Sequence, residues 1–327
     1  MSRLREERIA RSVGILLGAL ADVLFADPRR GHPVAGFGAL AGALERATYR
    51  DARWAGALHA GVLVGAVSAL GIAVQRAMDR LGRTGQVGAL ATATWTACGG
   101  ASLLRVATVM AEHLDGGDVD AARRLLPSLC GRDPSVLDAD GLARAALESV
   151  AENTSDAHVG PLIWAGFGGL PAVLAYRAVN TMDAMIGHRS PRYSRFGWAA
   201  ARLDDAVNLA PARLTAVLTV VCAPLVGGSA AGAARAWRSD AARHPSPNAG
   251  VVEAAFAGAL GVSLGGPTRY AHRLEVRPAL GDGPPPTVAD LRRAIKLSRT
   301  VQFAATTLTI AVLSVGGRTG RRSSPPQ

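Results

Sequence analysis

The sequence predicts an all-α fold: a polytopic membrane helix bundle with a cytoplasmic helical insertion and loops. Three observations point there. Apolar residues make up 49% of the 327 positions and mean hydropathy is +0.19, high for a soluble enzyme. Aromatics are only 5% while Gly alone counts 38, a small-residue composition that suits close helix contacts in a bilayer. Several apolar runs approach or reach the ~20 residues that a bilayer core requires.

Along the chain, the charged start MSRLREERIAR leads into an apolar run at 12–26. Asp22 interrupts that run and no convincing small-x-small cleavage site follows, so it reads as a retained first helix rather than a leader. The clearest span is 54–74, whose only titratable group is His59; Arg76, Arg80 and Arg83 follow and suggest a cytoplasmic end. A weaker span covers 87–104. Two more, 159–178 and 209–231, flank polar motifs, whereas 251–264 is too short to cross comfortably and 300–315 closes the ordered part. About four to six membrane segments are expected. The polar stretch 112–148 predicts a helical cytoplasmic insertion, and GDGPPP at 281–286 a linker. Thr287 and Asp290 have N-cap spacing for a helix running through Arg299. Residues 1–300 form one membrane domain with its motif core at 148–213, 301–316 a terminal hydrophobic helix, and 317–327 a disordered tail.

Composition also excludes. Net charge is +11 and Lys296 is the only lysine, which rules out a Gly-Lys-Ser/Thr phosphate loop and leaves anions to Arg or backbone amides. No zinc-finger spacing, RNP motif or aromatic–basic interleaving accompanies the positive charge, so no nucleic-acid partner is expected. Cys98, Cys130 and Cys222 are scattered, without CxxC, as in a reducing compartment. The seven His form no HExxH.

The chemistry-bearing residues gather between Glu148 and Arg213. Glu148 and Glu152 lie four apart on one helix face that Asp156 continues, with Ser149 and Asn153 beside it. That face is either a Mg²⁺ or acid/base site or a solvated surface. Asn180 and Asp183 share the next face, after Tyr176 and Arg177, and Gly187 ends that helix. Arg202, Asp204, Asp205 and Asn208 follow, then Arg213. Carboxylates with amide oxygens suit Mg²⁺ carrying phosphate, and Arg grips the same phosphate. Three such motifs between apolar helices are hard to place on a surface. Further candidates are the loop DPRRGHPVAGFG at 27–38 (Asp27, Arg29, Arg30, His32), RHPSPNAG at 243–250 (Asn248) with Glu253 starting a helix, and the pair GGPTRY at 265–270 and RPALG at 277–281.

In this order, together with GRDPSVL at 131–137, these motifs resemble the CobD/CbiB family, the adenosylcobinamide-phosphate synthases, over residues 12–300. His158 departs from the family pattern, which has glycine and small apolar residues there. The resemblance implies a multi-pass cell inner-membrane protein with a cytoplasmic active site. It implies amide ligation of adenosylcobyric acid to (R)-1-amino-2-propanol or its O-phosphate, with ATP and Mg²⁺ activating the carboxylate as an acyl phosphate. It also implies partners in the lipid bilayer and among other late corrinoid-pathway enzymes. Under it, Asp204, Asp205 and Asn208 bind Mg²⁺. Glu148, Glu152, Asp183 and Arg202 are catalytic, with either glutamate as base. Arg29, His32, Asn153, Asp156, Arg177, Asn180, Arg213 and Asn248 hold substrate or phosphate. Nucleotide binding is inherited from the resemblance, since no residue signature carries it. Two other readings compete: a Mg²⁺-dependent prenyltransferase of the UbiA kind, whose acid runs at i, i+4 are not matched here, and a non-catalytic transporter or scaffold, which internal pseudo-symmetry would favour.

Overall fold

The computed structural model describes residues 3–28, 31–188, 190–270 and 273–315. In chain order the helices are α1 (Arg3–Phe25), α2 (Pro33–Thr48), α3 (Arg53–Asp79), α4 (Gly82–Ala97), α5 (Gly100–Asp115), α6 (Val119–Leu125), α7 (Ala139–Thr154), α8 (Gly160–Met182), α9 (Tyr193–Phe196), α10 (Trp198–Val207), α11 (Leu209–Cys222), α12 (Ala230–Asp240) and α13 (Ala249–Leu260). A hairpin of β1 (Leu264–Tyr270) and β2 (Arg273–Leu280) precedes α14 (Val288–Val315). The described residues are 81% helical, as the all-α expectation required. Among the described residues, four helical stretches are long and apolar enough to cross a membrane: Arg53–Asp79, Gly82–Asp115, Ala139–Gly187 and Leu209–Val226.

Three expected spans are not single helices. The run 209–231 stops at Val226, before Gly227 at φ 69°, and restarts as α12 at Ala230. The run 159–178 reverses direction at Gly169, whose φ of 66° and ψ of −148° lie outside helical space. Glycine tolerates that conformation, and Pro171 starts the return arm where a missing N–H costs nothing. The reversal brings the Tyr176 hydroxyl to 3.0 Å from the Asp156 carbonyl, twenty residues away in sequence; a straight helix would hold them ~30 Å apart. Arg11 of α1 donates to the carbonyls of Gly166 and Phe167 at 3.1 and 3.3 Å, capping the outgoing arm where intrahelical partners run out. The run 87–104 is likewise broken. Cys98 and Gly99 leave helical geometry between α4 and α5, and the Gly99 amide donates instead to the Ala157 carbonyl at 2.8 Å.

Apolar residues sort the helices into two environments. α1 exposes Leu16, Leu17, Leu20, Val23 and Leu24, and α3 exposes Trp54, Leu58, Val62 and Leu70. α11 shows Val217 and Val221, and the last turns of α14 show Phe303 and Val312. Such bands belong against lipid tails. By contrast α5, α7 and α13 expose no large apolar side chain, and they form the main core with α8, α11 and α14. A smaller core joins α2, α3, α9, α10 and the end of the return arm through Ala55, Ala60, Leu63, Met182, Ile186 and Phe196.

Three local expectations change. The motifs at 265–270 and 277–281 pair as an antiparallel hairpin, Gly266 opposite Arg277 and Leu264 opposite Leu280. α13 begins at Ala249, with the Ser246 hydroxyl accepting the Ala249 amide at 3.1 Å, so Glu253 sits in its second turn. Thr287 and Asp290 do cap α14, the Thr287 amide donating to the Asp290 carboxylate at 3.0 Å. That helix continues without a break through 300 to Val315, joining the two helices expected there. The 317–327 tail lies outside the described residues.

Candidate active site

Both arms of the 139–187 hairpin carry a π-helical turn, Ser155–Val159 on the way out and Asp183–Gly187 on the return. Such turns insert an extra residue and re-aim side chains, and they concentrate at functional sites. Here the first turn holds Asp156 and the second opens with Asp183. Between the arms, Gly160 leaves room for the Tyr176 ring; a Cβ there would collide with the phenol oxygen.

α10 and α11 meet these arms at Asn208, which is 1% exposed. Its Oδ1 accepts from the Tyr176 hydroxyl at 2.8 Å, and its Nδ2 donates to Asp204 at 3.0 Å. Asn180 donates to the other Asp204 oxygen at 3.4 Å and itself accepts from Arg177 at 3.3 Å. The chain Tyr176–Asn208–Asp204–Asn180–Arg177 thus fixes one carboxylate from both sides. Glu152, Asp156 and Asp183 face that carboxylate, with Arg177 as a cation among them. All four acids keep some accessible surface although protein surrounds them. Burial pushes Asp204 up to about 6; the Asn208 and Asn180 hydrogen bonds pull against it, and the Glu152 and Asp205 charges add to it.

Two flanking groups extend the site. On one side Glu148 is buried in an ion pair with Arg132 and accepts the Gly265 amide at 2.9 Å. Glu253 of α13 and Arg277 of β2 lie beside it, 3.9 Å apart. On the other side Asp22, fully buried near the end of α1, accepts the Ala101 amide at the start of α5 at 3.1 Å and lies 3.9 Å from His158. His158 reaches Thr306 of α14 at 3.1 Å, and Arg177 faces Asp22.

The family model described as CobD/Cbib protein matches residues 15–298. The chain belongs to the CobD/CbiB family. It is 65% identical over 303 residues to "Cobalamin biosynthesis protein CobD" of Mycobacterium tuberculosis H37Rv, covering 93% of this chain and 96% of that one. A protein of the same name from Rhodobacter capsulatus is 42% identical over 313 residues, covering 94% and 96%. Another from Geobacter metallireducens is 42% identical over 272 residues, covering 82% and 86%. No solved structure matches.

In this CobD/CbiB chain the expected site residues divide. Glu152, Asp156, Arg177, Asn180, Asp183, Asp204 and Asn208 come together. Glu148 stands next to them, but Arg132 and the Gly265 amide already engage it, which disfavours it as the base. Arg202 points outward and pairs with half-buried Asp205 at 3.4 Å, and the Asp205 charge still reaches Asp204 and Asp183. Arg213 donates to Asn248 at 2.8 Å and Asn248 to the Asp205 carbonyl at 2.7 Å, a tie between α10, α11 and α13. Asn153 donates back to Ser149 within α7. His32 accepts the Val34 amide at 3.1 Å as the cap of α2, with Asp27 at 3.4 Å. Arg29 lies outside the described residues.

Among the described residues no group of three or more His, Cys, Asp and Glu side chains is already gathered as a metal cage. Mg²⁺ rarely needs one; it takes one or two carboxylates and keeps water and phosphate oxygens. Asp204, held by two amides and facing Asp156 and Asp183, fits that role. Asp22, Arg132, His158, Glu253 and Arg277 belong to the surroundings that spacing alone did not assemble. Asp22 and Glu253 did carry a signal, each being an acid inside an apolar run.

Proposed function

We propose that this CobD/CbiB protein acts in cobalamin biosynthesis as an ATP-dependent acid–amine ligase. It joins the propionate carboxyl of adenosylcobyric acid to (R)-1-amino-2-propanol or its O-phosphate. Family membership, the names of its relatives and the bands of outward apolar side chains support a membrane enzyme of this pathway. The observation that carries the chemistry is the convergence of Asp156, Asp183 and Asp204 from three separate segments around Arg177.

ATP with Mg²⁺, when bound, supplies a phosphate leaving group on the carboxyl oxygen. Asp204, with Asp156 or Asp183, would hold the ion, while Asn180 and Asn208 keep the Asp204 carboxylate in place. Arg177 balances phosphate charge. The new bond joins the amine nitrogen to the carboxyl carbon, and the carbon–oxygen bond breaks with its electron pair on the leaving phosphate. Of the two protons that the ammonium gives up, Glu152 accepts one and the other departs with phosphate. Glu152 is chosen over Glu148 because Arg132 neutralises the latter.

The acid cluster faces the cytoplasm, where ATP and the corrinoid are available. Arginine bias does not orient the bundle: Arg83 lies with Gly169, whereas Arg53 lies over Trp198 of α10. The test is turnover by membranes containing the protein, given adenosylcobyric acid, Mg-ATP and either amine. A corrinoid mass gain equal to amide formation and dependent on ATP is expected. Absence of product from folded protein with both amines would refute the ligase.

A further inference from the structure

Glu253 is an anomaly beside the acid cluster. It is 1% exposed, and neither carboxylate oxygen has a hydrogen-bond partner among the described residues. A buried carboxylate without donors is costly. Its neighbours do not relieve it. Arg132 is committed to Glu148, and Arg277 stands 3.9 Å away, beyond hydrogen-bond length. Glu148 and Glu152 both face Glu253 and add repulsion. With all three acids ionised, three carboxylates would meet two guanidinium groups, one positive charge short.

The missing partner must bring positive charge and N–H or O–H donors. A bare divalent ion would need further oxygen ligands, and Glu148 is already held by Arg132 and the Gly265 amide. The helix around Glu253 is otherwise buried and apolar, with Val251, Val252, Ala254, Ala255 and Phe256, so the partner must also be compact. An ammonium on a short apolar stem meets all three conditions, with three donors for the oxygens that lack them. We infer that Glu253, together with Glu152, forms the subsite for the ammonium group of a primary-amine co-substrate. This rests on the ligase reading for its use: the subsite places the amine next to Glu152, which takes its proton. Glu253 is then a binding residue and Glu152 the catalytic base.

The experiment measures equilibrium binding of radiolabelled 1-amino-2-propanol to the detergent-purified full chain without ATP or corrinoid, for the parent, E253Q and E253D. Saturable binding is expected, displaced by isopropylamine and not by neutral 1,2-propanediol. E253Q should bind at least tenfold more weakly, and E253D should recover part of the loss. In turnover, E253Q should raise KM for the amine at least tenfold and leave KM for adenosylcobyric acid unchanged. Equal binding by E253Q, equal competition by the diol, or a parallel rise of both KM values would overturn the subsite. The diol competition uses the parent protein, so it decides even where a variant misfolds. Amine binding through Glu253 without corrinoid product would sink the ligase and keep the subsite; product formation with an unchanged amine KM in E253Q would do the reverse.

Discussion

Replacing Asn208 by leucine keeps the branched outline of the side chain and removes two hydrogen bonds, the one that it gives Asp204 and the one that it takes from Tyr176. A hydrogen bond to a charged group contributes about 1.5–3 kcal/mol. At about 1.36 kcal/mol per pKa unit, the lower figure moves Asp204 up by about one unit. Its starting value of about 6 already reflects burial, opposed by Asn208 itself and by Asn180. The ionised form is needed to hold a cation, so the acid limb of kcat/KM should move from about 6 to about 7. The ionised fraction at pH 6 then falls from about one half to about one tenth, a loss of about fivefold, whereas at pH 8 little changes. The limb belongs to Glu152, Asp156, Asp183 and Asp204 as a group, since they face one another. The assay is corrinoid amide formation at subsaturating substrate from pH 5 to 9 in N208L. A uniform loss at every pH, with the limb unmoved, would show that Asn208 only packs and would refute this electrostatic role. The same shift has a stability side. A carboxyl whose folded pKa is raised favours the folded state most below its unfolded value near 4, and that contribution is lost as pH rises through about 6. Thermal stability of the ligand-free protein should decline across that window, and added Mg²⁺ should restore it at neutral pH.

Breaking the buried Arg132–Glu148 pair by R132M should cost about 3–5 kcal/mol in a detergent unfolding titration, while R132M/E148M should lie much closer to the parent; equal losses would contradict the ion-pair account. R11M leaves the Gly166 and Phe167 carbonyls without their donor and should destabilise by about 1–3 kcal/mol, read by the same titration, with no change in amine KM. D290A removes the cap of α14 and should cost about 1 kcal/mol. Burial raises the Asp290 carboxyl, but the Thr287 bonds and Arg293 outweigh it and hold the group below its usual value. The difference between D290A and the parent should therefore be full at neutral pH and vanish as pH falls through that depressed value.

The acid cluster was legible from the sequence because its members recur at helical spacing. Asp156 continues the Glu148 face, and Asn180 and Asp183 share another, so periodicity alone groups them. Asp205, three residues before Asn208, is half-buried and its charge reaches Asp204 and Asp183, whereas Arg202 is mostly exposed and meets the cluster only through Asp205. Glu253 meets Arg277 on the following hairpin and Glu148 far back in α7, and Asp22 meets Ala101 and His158 on later segments, pairings that no local pattern encodes. The reversal at Gly169 was hidden differently. Apolar residues continue through it on both sides, so hydropathy reads one span, and only the Gly168–Gly169 and Pro171 punctuation marks the turn. The β-hairpin escaped because Gly and Pro occupy so much of it and alternating apolar positions are few.

The reversal at Gly169 has a consequence for the path of the whole chain. A segment that goes in and comes back contributes an even number of crossings, so residues 138 and 190 emerge on one face of the membrane. Counting 139–187 as a single pass would invert the assigned side of every later loop. Reporter fusions at Asp138 and at Ser190 should therefore give the same answer, and with it the side on which Asp156, Asp183 and Asp204 meet their substrates.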